Sequence, residues 1–194
     1  MTAFEIFKDW LVTFWRILVS PSPRTFLEEA EKAENKFPSA VAWAAFIALY
    51  SYLFVSLAAG SALSLLLLVA AWLILPLAIV LIPSAAHFML QRVFHRKQYL
   101  YDKVLYIYTA VFVLFQLIIN LTFLVPANIA SVLNSLLITY QFVLLIIATK
   151  SIAGIKYWQA IVTVLAAVLA GALVLVCALP VITSLTGSVS GVLR

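Results

Sequence analysis

The sequence predicts an all-α polytopic integral membrane protein with five transmembrane helices, preceded by an N-terminal amphipathic helix in the membrane interface. Of its 194 residues, 66% are hydrophobic and 10% are charged, and the mean hydropathy is +1.17. Soluble domains carry roughly 45–50% apolar and about 25% charged residues. A soluble fold is excluded because this chain has too few polar residues to cover its outside. Five uncharged stretches also approach the roughly 20 residues that a bilayer-crossing helix needs.

Residues 3–19 carry apolar side chains at three- and four-residue steps, which is typical of an amphipathic helix. Its apolar face is the predicted interfacial anchor, formed by Phe4, Phe7, Leu11, Phe14, Trp15 and Leu18. The opposite face holds Glu5, Lys8, Asp9, Thr13 and Arg16. These polar residues prevent a crossing, so we expect the helix to lie along the interface. The alternative is that its apolar face packs on other helices, and both arrangements can hold together.

The segment Ser20-Pro21-Ser22-Pro23 ends this helix, and Thr25-x-x-Glu28 indicates a capping box that opens a second, charged helix reaching about Lys36. We expect this helix to face solvent, because dense charge is typical of a solvated face. Residues 1–38 are therefore predicted to form a cytoplasmic region that precedes a transmembrane domain at 39–194.

The five predicted spans contain no Asp, Glu, Lys, Arg or His. They cover about 39–59, 61–83, 104–125, 131–149 and 157–179, and a short C-terminal tail follows. Their connections are short, so consecutive spans are expected to be antiparallel neighbours in a compact bundle. In the fifth span, Ala167 and Gly171 form a small-xxx-small pair that permits close helix approach within the bundle or between protomers.

The positive-inside rule sets the predicted orientation. With five spans, eleven of the twelve Lys and Arg residues fall on the side of the N-terminus, and only Arg194 falls on the other side. We therefore predict a cytoplasmic N-terminus and an external C-terminus. The net charge of +5 is explained by this bias, because the basic residues form short groups and no continuous stripe that would bind nucleic acid.

The sequence offers no support for an enzyme or for a cofactor. Ionisable residues inside spans mark proton relays and ion paths, and their absence argues against a proton-coupled pump or an intramembrane protease. No nucleophile motif or phosphate-binding loop is present. Cys177 is the only cysteine, and His87 and His95 lack a convergent third ligand, so no metal site is expected.

Four amide side chains form a candidate polar cluster: Gln116 and Asn120 on the third span, and Asn134 and Gln141 on the fourth. If these spans form a hairpin, Gln116 lies at the depth of Gln141 and Asn120 near Asn134. Interhelical amide bonds are then expected, worth on the order of 0.6–2 kcal/mol each. Structural bonding is the favoured interpretation, and a polar ligand or water cavity is the alternative.

A second candidate site lies in the basic segment 84–103. Its cations Arg92, Arg96, Lys97 and Lys103 suit anionic lipid headgroups, at roughly 1 kcal/mol per basic residue. The same residues equally reflect the positive-inside bias.

The order of features resembles the Yip family, the five-span Ypt/Rab-interacting membrane proteins. The resemblance is carried by the amphipathic start, Ser20-Pro21 with Phe26, the basic stretch from His87 to Lys97 after the second span, and Gly154 to Ala160 opening the fifth. It implies a non-enzymatic protein: eukaryotic members act in vesicle trafficking and bind small GTPases, and some bacterial relatives accompany ATP-binding-cassette exporters.

Two departures from that pattern bear on the expected partners. The longer cytosolic N-terminal region of trafficking members is missing, and Phe94-His95-Arg96-Lys97 replaces the glycines expected after the second span. Both argue against small-GTPase binding and favour a compact prokaryotic member in the plasma membrane over a eukaryotic endomembrane protein.

Two functions are compatible with these observations. The leading hypothesis is a membrane scaffold or an accessory subunit of another membrane complex, which self-associates or binds another membrane protein and contacts membrane lipids. The alternative is a small carrier or channel for a lipid or an uncharged solute, in which the four amide side chains line the path.

Overall fold

The computed structural model describes residues 3–33, 36–59, 77, 80–95 and 101–192, and the regular structure in these segments is helical. The all-α class is therefore confirmed for this part of the chain. In chain order the helices are α1 (Ala3–Val19), α2 (Pro23–Glu31), α3 (Phe37–Ala59), α4 (residues 80–88, continuing as a π-helix over Met89–Val93), α5 (Tyr101–Leu121, then a 3₁₀ turn over Thr122–Leu124), α6 (Ala127–Ala153) and α7 (Tyr157–Val192).

Four of the described helices are long and apolar enough to cross a bilayer. The qualifying segments are Phe37–Phe54, Tyr101–Leu121, Ala127–Ala153 and Tyr157–Val174. They overlap the first, third, fourth and fifth predicted spans. The predicted second span, 61–83, lies largely outside the described residues, so the count of five stays a prediction. Helix α7 continues to Val192, beyond the predicted end of its span at 179.

Local signals explain where α2 and α6 begin and end. The Ser22 hydroxyl caps α2 by accepting a hydrogen bond from the Thr25 backbone N–H at 3.2 Å, and Pro23 occupies the first turn. The predicted start at Thr25 was therefore late by one short turn. Helix α6 follows Pro126 and ends at Gly154, whose φ of 61° lies in the left-handed region that favours glycine.

Helix α5 lies at the centre of the bundle. In the candidate spans, 67% of α5 is buried, against 33% of the α3 segment and 28% of those in α6 and α7. A helix buried on all sides is a core element, and α5 packs against α1, α2, α3 and α6. The outward faces of α3, α6 and α7 carry exposed Leu, Ile, Val and Phe side chains, as lipid contact requires.

The α5–α6 hairpin is antiparallel, as predicted, and two hydrogen bonds fix its register. The Tyr108 hydroxyl pairs with Thr149 Oγ1 at 2.8 Å near one end, and Thr122 Oγ1 donates to Asn134 Oδ1 at 2.8 Å near the other. In this register Gln116 lies at the depth of Gln141, as the sequence predicts.

Candidate functional site

Helix α1 is apolar on two faces that have different surroundings. One face is buried against the bundle and holds Trp10, Thr13, Phe14 and Ile17. The other is exposed and holds Phe7, Leu11, Trp15 and Leu18, with Trp15 at 66% exposure. Of the predicted anchor, Phe14 therefore packs inward, and Leu11, Trp15 and Leu18 face outward. Phe7 is partly exposed, but its ring stacks on Trp43 of α3, and the side chain of Phe4 lies outside the described residues. Thr13, predicted to face outward with the polar residues, is fully buried.

A buried carboxylate joins α1, α2 and α5. Glu29 of α2 has an exposure of 0%. The expectation that the charged residues of α2 face solvent was therefore wrong for Glu29. The carboxylate accepts hydrogen bonds from Thr13 Oγ1 at 2.7 Å, from Arg16 at 2.5 Å and from Lys32 Nζ at 2.9 Å. Thr13 also pairs with the Tyr106 hydroxyl at 2.9 Å. We call Glu29, Thr13, Arg16, Lys32 and Tyr106 the Glu29 cluster.

Further polar contacts connect α1 to the start of α3. The Trp10 indole N–H donates to Ser39 Oγ at 3.2 Å, and Lys36 forms an ion pair with Asp9. Together with the Glu29 cluster, these bonds hold α1 and α2 against the bundle. We call α1 and α2 the N-terminal cap.

At the edge of the cluster, Arg16 also binds Glu28, and Arg24 binds Glu28 from the other side, at 2.6 Å and 2.8 Å. The hydrogen bond to Glu28 and the nearby charge of Glu29 raise the pKa of Arg16. Hydrogen bonds from Arg24 and Arg16 lower the pKa of the exposed Glu28 carboxyl. Both groups are therefore charged near neutral pH, and they extend the buried cluster to the surface as an ion-pair network.

The lowered pKa of Glu28 predicts a specific pH dependence for the cap. Because the folded state favours the charged carboxylate, this contribution to stability is present above the ordinary pKa of 4.5 and is lost as the pH falls through the lower folded value. We expect amide hydrogen exchange in α2, corrected for the intrinsic rate, to stay level from about pH 7 to 5 and to accelerate below the ordinary pKa. Glu28→Gln should remove the part of this acid sensitivity that Glu28 causes, whereas an unchanged profile would contradict the assignment.

The position of Glu29 in the sequence indicates burial, although the high density of charges in α2 predicted exposure to solvent. The buried residues of α2 include Phe26, Glu29 and Ala30, and Ala33 follows just after the helix. Glu29 therefore lies in the middle of an apolar stripe with helical spacing. A carboxylate in such a stripe indicates burial with a charged or hydrogen-bonding partner.

Three of the four amide side chains of the candidate polar cluster bind neighbours other than those predicted. Gln116 donates to Asn120 within α5 at 3.2 Å, and Asn120 donates to Ser51 of α3 at 2.8 Å. Asn134 accepts from Thr122, and Gln141 is buried in α6. The described contacts include no bond between Gln116 and Gln141 or between Asn120 and Asn134, so those predicted pairings were wrong. Asn120 and Asn134 bond to neighbouring elements, as the structural interpretation expects, and the choice between that interpretation and a ligand cavity stays a prediction.

The predicted lipid-contacting cations are partly described. Arg96 and Lys97 lie outside the described residues, whereas Arg92 lies in the last turn of α4 and Lys103 in the first turn of α5. Within the described segments neither forms an ion pair, and the same holds for Lys150 and Lys156, although Lys150 lies 3.9 Å above the Tyr157 ring. In contrast, Arg16, Arg24, Lys32 and Lys36 of the N-terminal region are each paired with a carboxylate.

In the described part of the chain, no group of three His, Cys, Asp or Glu residues is arranged to hold a metal ion.

Comparison with known proteins connects this architecture to a family. The family model of the Yip1 domain matches residues 15–179, which include most of the N-terminal cap and the candidate spans. Comparisons with curated proteins and with solved structures return no significant match. Because the match covers most of its length, the chain belongs to the Yip family of membrane proteins.

Proposed function

We propose that this chain is a non-enzymatic membrane scaffold whose N-terminal cap binds another protein at the cytoplasmic surface of the membrane. The observation that carries this proposal is the Glu29 cluster. A buried carboxylate with three donors holds α1 and α2 in a fixed position on α5, where a flexible tail would need no such bonds. A fixed cap presents a surface of constant shape, which lowers the entropy cost of binding a partner.

In this proposal the exposed apolar face of α1 lies in the headgroup region. Leu11, Trp15 and Leu18 face away from the bundle, and aromatic rings such as that of Trp15 are favoured at that depth. Arg92, Lys103, Lys150 and Lys156, which form no ion pair within the described segments, would face the same leaflet and attract anionic lipids. In this proposal the N-terminus lies in the cytoplasm and the C-terminus outside, and the membrane is a prokaryotic plasma membrane.

The outer face of α2 is the proposed contact surface. Arg24, Leu27, Glu28 and Glu31 follow the helical spacing of one stripe, and all are exposed or half-buried. Leu27, with an exposure of 45%, is an apolar residue among charges of both signs. An apolar centre with a charged rim is the usual composition of a protein interface. The partner is a second copy of the chain or another membrane protein, such as a subunit of an exporter.

The test is purification of the full chain from its native membrane in mild detergent. The chain should emerge with a partner or as a defined oligomer, and Leu27→Glu should lower that recovery about tenfold, which corresponds to about 1.4 kcal/mol of binding free energy. Leu124→Glu is the matched control, because Leu124 is also exposed but lies 18 residues, or about 27 Å of helix, from Tyr106. A monodisperse monomer without any partner, or equal recovery for both variants, would contradict the proposal.

A further inference from the structure

An open apolar groove separates the first turns of α1 from the first three turns of α3. It encloses about 520 Å³ and is lined by Ile6 and Phe7 of α1 and by residues of α3 that include Pro38, Ala42, Trp43 and Phe46. Pro38, Ala42 and Phe46 are spaced four residues apart, so they form one stripe about 12 Å long on α3. The groove therefore extends about 12 Å along α3.

Aromatic packing holds the groove open. The Phe7 ring stacks on Trp43 with centroids 5.5 Å apart, and Phe14 supports Trp43 edge-on at 5.2 Å. Trp10 packs against the same indole and is anchored by its bond to Ser39. Because these rings support one another, the wall at Trp43 cannot collapse into the space beside Ala42.

The groove opens onto the surface of a membrane-spanning helix. Phe46, Leu49 and Leu53 continue along α3 from the groove, and all three side chains are exposed within a segment that qualifies as a span. The medium at such a surface is lipid, so the apolar molecule nearest the groove is a phospholipid acyl chain. An unbranched hydrocarbon chain can lie along an apolar stripe of this length.

Charges near the start of α3 indicate the headgroup. Asp9 is paired with Lys36, and Glu5 and Lys8 lie nearby on α1, so two acidic and two basic residues balance formally. A balanced set complements a zwitterionic headgroup better than an anionic one. This distinguishes the groove from the surface of Arg92, Lys103, Lys150 and Lys156, for which the described part of the chain supplies no paired carboxylate.

We infer that the groove between α1 and α3 holds one acyl chain of a zwitterionic phospholipid. This inference rests on the proposed position of α1 in the membrane interface. The bound chain would fill the space between the two helices and couple the cap to the bilayer. It deepens the scaffold proposal by naming a lipid partner for the same cap.

The test uses the full chain in phosphatidylcholine nanodiscs that contain a phosphatidylcholine with a photoactivatable acyl chain. After irradiation, mass spectrometry of peptides should find adducts enriched on residues 6–7 and 38–46 relative to the exposed face of α6. Ala42→Leu, which fills the exposed stripe, should lower groove adducts at least about fivefold. Ala172→Leu, an equal enlargement at an exposed position of α7, should leave them unchanged.

Three results would overturn the inference. Groove adducts that persist in Ala42→Leu, or that match the yield on the exposed face of α6, would indicate ordinary surrounding lipid. A phosphatidylglycerol probe that labels the groove about tenfold more strongly would exclude the zwitterionic assignment. Adducts on Trp15 and Leu18 would show that α1 lies in the membrane interface whether or not a lipid occupies the groove. They therefore distinguish failure of the groove inference from failure of the scaffold proposal.

Discussion

Replacing Glu29 with Ala is expected to detach the N-terminal cap while the rest of the bundle stays folded. Amide hydrogen exchange in α1 and α2 should accelerate about 30- to 150-fold, which corresponds to about 2–3 kcal/mol of local opening free energy. The substitution removes the acceptor shared by Thr13, Arg16 and Lys32. Thr13 would keep only its bond to Tyr106, and two cations would lose a counter-charge.

The size of this effect follows from the exposure of the two cations. Breaking a wholly buried ion pair costs about 3–5 kcal/mol, because the remaining charge is left without solvent. Arg16 and Lys32 have side-chain exposures of 39% and 36%, so water reaches both and reduces the loss. The local effect is still large because Glu29 itself is fully buried and satisfies three donors.

Glu31→Ala is the matched control for this prediction. It removes a carboxylate from the same helix at an exposed position, so its effect on exchange should correspond to less than about 0.5 kcal/mol. Glu29→Gln should fall between the two variants, because the amide keeps an acceptor for Thr13 and loses the charge. Equal exchange rates in Glu29→Ala and Glu31→Ala would show that the cluster does not hold the cap.

The architecture was predictable because it depends on local pattern and on the solvent. Uncharged stretches of bilayer length predicted α3, α5, α6 and α7, and the short connection at Pro126 predicted an antiparallel hairpin with its observed register. The buried face of α1 was less accessible to pattern alone. Burial of Thr13 could not be predicted from its neighbours in the sequence, because its partner Tyr106 lies 93 positions away.

The polar contacts illustrate the same limit. Asn120 has the expected depth but binds Ser51 of α3, 69 residues away, because α3 lies against α5 at that level. Which neighbour satisfies an amide depends on the lateral arrangement of helices, and hydropathy carries no information about that arrangement. Glu29 shows the same limit for a charged residue. Its charged neighbours in the sequence predicted exposure to solvent, whereas three hydrogen-bond donors offset the cost of burying its carboxylate.

The second large effect is expected for substitutions of Gly171, the position at which α7 lies close to α4. A Cβ built on Gly171 would lie 2.6 Å from Cγ1 and 2.8 Å from Cδ1 of Ile82. Gly171 of the predicted small-residue pair therefore lies at a close approach within one chain, and Ala167, one turn earlier, is fully buried. The absence of a side chain at Gly171 therefore sets the distance between these two helices.

Gly171→Leu should destabilise the fold by about 3 kcal/mol or more, because overpacking typically costs 1–3 kcal/mol and a whole isobutyl group must be accommodated here. Gly171→Ala should cost about 1 kcal/mol net, because an overpacking cost of about 2 kcal/mol against a side chain that can shift is offset by about 1 kcal/mol of helix propensity. The measurement is the unfolding midpoint of the full chain in one detergent, compared with Ala172→Leu, which points outward from the same helix and should change little.

Ile82→Ala provides the test of the mechanism. If Gly171→Leu destabilises the fold only through its clash with Ile82, then adding Ile82→Ala to that variant should restore about 1–2 kcal/mol of stability. In the wild-type background, the same Ile82→Ala substitution should lower stability. The opposite signs define a coupling free energy that a general loss of helix packing cannot produce. Additive losses in the double variant would instead show that Gly171 contacts another partner, and the approach of α7 to Ile82 would no longer explain why glycine is required.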